Sequence, residues 1–166
     1  MRKGNCGSSI IWSLVFIAQI ILYFLLPKPS WLIKPVVIIG ICLWGISIIF
    51  GWLPMIVFKK RGGVEKGKSY VHTTSLVKTG LYSIIRHPQY TAGLLLSAAL
   101  MCISQHWIVI ALGCIVVVLL YSDICKADTH EIEKFGSAYE EYMKEVPRIN
   151  FITGIIRLIR RKNREK

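Results

Sequence analysis

Residues 88–121 read PQYTAGLLLSAALMCISQHWIVIALGCIVVVLLY and contain no Asp, Glu, Lys or Arg. Apolar character runs from Pro88 to Ile103, breaks at Ser104-Gln105-His106, and resumes from Trp107 to Tyr121. So short a break admits only a helical hairpin. The first arm is roughly 24 Å long at 1.5 Å per residue, against a hydrocarbon core of about 30 Å. It spans only if its end is drawn inward or the bilayer thins.

Two further apolar runs precede the hairpin: Ile10 to Leu26, interrupted only by Ser13 and Gln19, and Val36 to Phe58, which carries no charge. Each is long enough for a spanning helix. Arg2-Lys3 ahead of the first run imitates a signal peptide, but Pro27-Lys28-Pro29-Ser30-Trp31 follows in place of a small-residue cleavage site. The first run is therefore expected to be a retained helix ending at an interfacial Trp. Pro54 is expected to kink or end the second run near Lys59-Lys60-Arg61. The fold expected is all-α and integral to the membrane, with four transmembrane helices in a single domain over 1–166. Two spans lie in 1–58; the remaining 59–166 supplies a long loop, the hairpin and the C-terminal helices.

Composition agrees. Apolar residues make up 54% and charged ones 18%, where a soluble domain carries about a quarter charged. Twenty-one Lys and Arg against nine Asp and Glu leave a formal +12. In so greasy a chain this excess reads as loops held against anionic lipid, and no nucleic-acid motif accompanies it. The five cysteines and four histidines are scattered without metal-ligand spacing, so neither a disulfide framework nor a metal site is expected.

Loop charges orient the chain. Residues 59–87 carry seven Lys or Arg against Glu65 alone, and the tail from Arg157 is also basic, whereas the other connections have Lys28 and Lys34 or nothing. Four spans then put both termini and the 59–87 loop in the cytoplasm, and the plasma membrane of a prokaryote is the expected location. Beyond Asp123, Ile132, Phe135, Tyr139, Tyr142 or Met143, and Val146 form an amphipathic stripe, broken at Gly136 and ended by Pro147. Residues Ile149 to Ile159 place isoleucines beside Arg157, Arg160 and Arg161, the pattern of a helix lying in the headgroup plane.

The densest group of chemical side chains is Leu76-Val77-(x)2-Gly80-x-Tyr82-(x)3-Arg86-His87-Pro88-x-Tyr90. Pro88 suits a first helical turn, and a helix starting there offers N–H groups and a positive dipole end to an anion. The competing reading has Arg86 snorkelling to phosphate, His87 capping the helix and the tyrosines forming an interfacial belt.

The run LVKTGLYSIIRHPQY, an apolar hairpin, and then EKFGSAYEEYMKEVPR together resemble the isoprenylcysteine carboxyl methyltransferase family, whose wider group includes the membrane phospholipid N-methyltransferases. The resemblance covers about residues 70–150. It implies an S-adenosylmethionine-dependent methyltransferase whose catalytic part is 59–166 and whose acceptor is lipophilic, entering from the bilayer. Carried over by motif, Thr74, Ser75, Leu76, Val77, Tyr82, Arg86, His87, Pro88, Gln89, Tyr90 and Asp128 would form the cofactor pocket, with Asp128 taking a polar group such as the ammonium or ribose. His72 is a further contributor if the loop holds an insertion. Asp123, His87 and Arg148 are the catalytic candidates, the first two as proton acceptors. Two departures matter. An acidic pair usual in the family is Ala127-Asp128 here, and the arginine of members that methylate isoprenylcysteine is replaced by Asp123. These losses keep a second reading open, that of a membrane scaffold or lipid-binding module without catalysis.

Overall fold

The computed structural model describes residues 6–63 and 74–164, and among them every regular element is helical. Helix α1 is Cys6–Leu25, α2 Lys34–Arg61, α3 Pro88–Ser104, α4 Trp107–Phe135, α5 Ser137–Glu145 and α6 Phe151–Arg164, with a 3-10 turn at Gly80–Ser83. Two of these, α2 and α4, are long and apolar enough to cross a membrane; α1 and α3 are shorter apolar helices. Pro54 does not end α2, which continues to Arg61. Its missing N–H removes one backbone bond, yet the helix carries on through it, with Pro54 fully buried.

The chain forms two compact units, each assembled from separated stretches. The first comprises 1–48 and 92–126. Its centre is polar: buried Gln19 of α1 donates from Nε2 to the carbonyls of Ser97 (3.2 Å) and Val109 (3.3 Å), and accepts from Ser97 Oγ at 2.9 Å. Three helices are thereby tied at one point, with buried Ala99, Val116 and Leu120 in the same unit. Glycine makes the packing possible. A Cβ on Gly113 would come within 2.7 Å of Gln19 Nε2, and one on Gly40 within 2.9 Å of Cys102 Cβ, so small residues let the backbones approach. The hairpin link is Gln105-His106. Gln105 adopts φ +50°, and its side-chain amide accepts from Ile33 N–H (2.9 Å) and donates to Ile33 C=O (3.0 Å).

The second unit comprises 49–91 and 127–166. Gly136 at φ +58° separates the end of α4 from α5, as its place in the stripe predicts. Tyr139, Tyr142 and Val146 are buried together, with Leu76, Ile132, Phe135 and Met143 packed on them. Segment 86–87 runs beside 147–148: Arg86 N–H donates to Pro147 C=O at 3.0 Å and His87 N–H to Arg148 C=O at 3.2 Å. The two motifs singled out in the sequence are thus joined backbone to backbone.

Candidate active site

Asp128 is the centre of the second unit's polar cluster. Only 3% of it is exposed, yet it carries a charge, so it must be compensated on all sides. Its Oδ2 accepts from Arg86 Nη2 at 3.2 Å and from Arg148 Nε at 2.7 Å. Its Oδ1 accepts from Tyr139 Oη and from His87 Nε2, both at 2.7 Å. A carboxylate cannot donate, so Nε2 of His87 carries the proton of this contact. Burial pushes the Tyr139 phenol above its usual range and the adjoining carboxylate adds to this, so the hydroxyl stays protonated and donates.

Four donors occupy about four lone-pair directions, which saturates the carboxylate. Within the chain, Asp128 thereby fixes Arg86, His87, Tyr139 and Arg148.

Arg86 is the opposite case. It is 8% exposed, Nη2 is bound to Asp128, and buried Nε and Nη1 have no hydrogen-bond partner among the described residues. Unsatisfied buried donors are costly, and on a guanidinium they call for an anion. Two guanidinium groups, Arg86 and Arg148, both bind the Asp128 carboxylate. Pro88 opens α3 directly beside them, which adds a positive helix end.

The other expected residues surround or support this group. Tyr90 meets His87 edge to face at 5.8 Å, and Gln89 occupies the same first turn. Thr91 closes that turn, donating from N–H (3.0 Å) and Oγ1 (2.9 Å) to His87 C=O. Tyr82 is buried, its ring stacked on Phe58 at 4.5 Å and its carbonyl accepting from Tyr142 Oη. Burial likewise raises the Tyr142 phenol and keeps it a donor. Leu76 and Val77 lie in the apolar packing, while Thr74 and Ser75 are exposed and bind the Gly62–Gly63 turn. His72 lies outside the described residues.

Asp123 has partners of its own. It belongs to the first unit, where Oδ2 accepts from Ser9 Oγ and Trp12 Nε1, each at 2.9 Å, and Oδ1 from Lys126 Nζ at 3.2 Å. The sequence did not single out Tyr139 for the site. A tyrosine on an amphipathic stripe announces a buried ring, but nothing in the stripe tells where its hydroxyl goes. Among the described residues, no three His, Cys, Asp or Glu are placed to hold a metal ion.

Neither a curated protein nor a solved structure shows a match to the chain. The family described as phospholipid methyltransferase matches residues 35–137, well over half the chain, and that range contains the Arg86–Tyr90 turn and Asp128. It is the wider group to which the two sequence motifs pointed. The apolar helices, the turn and the matched range lead to one conclusion: this chain belongs to the phospholipid methyltransferase family, whose members are membrane methyltransferases.

Proposed function

We propose that the protein crosses the bilayer four times, takes S-adenosylmethionine from the cytoplasm and methylates a lipophilic acceptor that arrives through the membrane. The observation that carries this reading is Arg86, a buried guanidinium with two nitrogens unpartnered among the described residues, beside a saturated carboxylate. The cofactor has a carboxylate of the kind those donors require, so the residues present fit it. Arg86 and the N-terminal end of α3 would hold that end, with His87 and Tyr90 beside it. When bound, the cofactor supplies a methyl group on a sulfonium, an electrophile that needs no covalent enzyme intermediate.

The remaining work is alignment and exclusion of water. Asp128 freezes Arg86, His87, Tyr139 and Arg148 in one arrangement, so little reorganisation is left for the reaction. His87 keeps its Nε2 proton toward Asp128 and can take, at Nδ1, a proton released by an amine or thiol acceptor. Arg148, more open to solvent than Arg86, shares the Asp128 carboxylate with it and helps to hold it in place. An isoprenylcysteine carboxylate is the less suited acceptor, because the position that would bring an arginine to it is Asp123, already committed to Ser9, Trp12 and Lys126. Both termini and the 59–87 loop face the cytoplasm in this arrangement, consistent with a bacterial or archaeal plasma membrane.

Equilibrium binding of labelled cofactor to purified protein tests the reading. Arg86→Gln removes charge-assisted bonds of about 1.5–3 kcal/mol, so binding weakens by about 10- to 100-fold. Equal affinity in wild type and variant would remove Arg86 from the pocket. Incubating membranes with methyl-labelled cofactor then shows whether label enters lipid, protein or a volatile product.

A further inference from the structure

Helix α6 presents three faces when its residues are set at 100° per position. Gly154, Leu158 and Arg161 lie on the packed face. Ile152, Ile155, Ile156 and Ile159 form a second stripe, left 62%, 42%, 45% and 53% exposed, and nothing among the described residues covers it. Arg157, Arg160 and Arg164 form the third, exposed and basic, with Thr153 between them. A bare apolar stripe flanked by a row of cations is complementary to one kind of surface, the headgroup layer of an anionic bilayer.

The packed face is joined to the segment that carries Arg86 and His87. Gly154 touches the carbonyl of Ile84 so closely that a Cβ would collide with it. Arg161 donates from Nη2 to Ser83 C=O at 2.7 Å and from Nη1 to Glu145 at 2.8 Å. Two residues beyond Ile84, the Arg86 and His87 amides are held by Pro147 and Arg148, shortly before α6 begins. Residues 83–87 are therefore gripped by α6 and by the strap that leads into it.

We infer that α6 docks on anionic lipid and that this docking sets the position of the Arg86–His87 segment, so headgroup charge tunes the affinity of the site. The inference rests on the cofactor-binding reading above and adds a regulatory input to it. Lipid charge acts at α6, the grip on Ser83 and Ile84 transmits it, and the guanidinium and imidazole are the receiving groups. Because Arg160 and Arg164 touch none of the Asp128 cluster, their contribution is separable from the site itself.

The test places full-length protein in bilayer discs of phosphatidylcholine alone or with about a third phosphatidylglycerol. Two quantities are read: S-adenosylmethionine affinity, and amide hydrogen exchange of segments 80–87 and 151–164. Wild type is expected to bind cofactor about fivefold more tightly with the anionic lipid, the low end of ordinary coupling between sites. Both segments should exchange more slowly there, and the differences should shrink at high salt. The Arg160→Gln/Arg164→Gln variant should bind cofactor as wild type does in neutral discs and lose the response to lipid. Equal wild-type affinity in both discs overturns the inference while leaving the cofactor reading intact. If cofactor binds in neither, that reading fails, and exchange decides alone: no common slowing of the two segments with anionic lipid overturns the coupling.

Discussion

Replacing Asp128 by Asn changes one oxygen to an NH2 group and removes the negative charge, with almost no change in shape. Two donors meet each carboxylate oxygen, Arg86 and Arg148 at Oδ2, His87 and Tyr139 at Oδ1. The new amide group must therefore face one of these pairs. Turning it toward His87 and Tyr139 is the cheaper choice, since an imidazole can change tautomer and a hydroxyl can rotate to accept. The arginines then share a neutral oxygen. Breaking a buried pair by removing one partner costs about 3–5 kcal/mol, and Arg86, 6% exposed at its side chain, is in that regime. Arg148 is 31% exposed, is screened by solvent, and adds about 1 kcal/mol at most. The expected total of about 4 kcal/mol corresponds to a melting temperature lower by about 10 °C for a chain of this size. Tryptophan fluorescence melts of detergent-purified protein measure it, and cofactor affinity should fall together with stability because Arg86 and His87 lose their anchor. Melting within 2 °C of wild type with unchanged affinity would refute the account of Asp128 as the residue that organises the cluster.

Asp123→Asn gives the contrasting result. Oδ2 can still accept from Ser9 and Trp12, so cofactor binding should stay within about twofold, and a large loss of turnover with binding intact would restore Asp123 as a proton acceptor. Gln19→Leu removes three buried hydrogen bonds and leaves the Ser97 hydroxyl only its long contact to Gly113 C=O, a loss of about 1–2 kcal/mol by denaturant titration in mixed micelles. Gly154→Ala forces α6 off the Ile84 carbonyl; faster hydrogen exchange in residues 80–87 is expected, and unchanged exchange contradicts the close approach. Single cysteines introduced at Lys78 and at His106 in a cysteine-free background should be labelled from opposite sides of the membrane, whereas labelling from one side would rule out four spans.

The apolar runs, the hairpin, the break at Gly136 and the basic isoleucine-rich tail were legible because each is a local pattern, recorded within a few turns of chain. The family motif was legible as well, since Arg86–Tyr90 is contiguous. What the residues do within it was not. Asp128 meets its partners across 41 and 42 residues in His87 and Arg86, and Gln19 meets Ser97 across 78. No periodicity encodes such pairings, and they decide whether a carboxylate is open to a ligand or already saturated. Pro54 shows the limit of a local rule: a residue that ends exposed helices is accommodated where the surrounding packing already fixes the backbone.

The Gln105 side chain treats Ile33 as one peptide group treats another, filling both its donor and its acceptor. During synthesis the turn holding Ile33 leaves the ribosome well before its partner 72 positions later. At about 5–20 residues per second, that wait is roughly four to fourteen seconds. For that interval the turn's peptide group depends on water or on the insertion machinery, and the first helical pair cannot be sealed at that end until the hairpin tip has emerged. Gln105 thus ties the turn after the first helix to the hairpin tip, two connections made far apart in time.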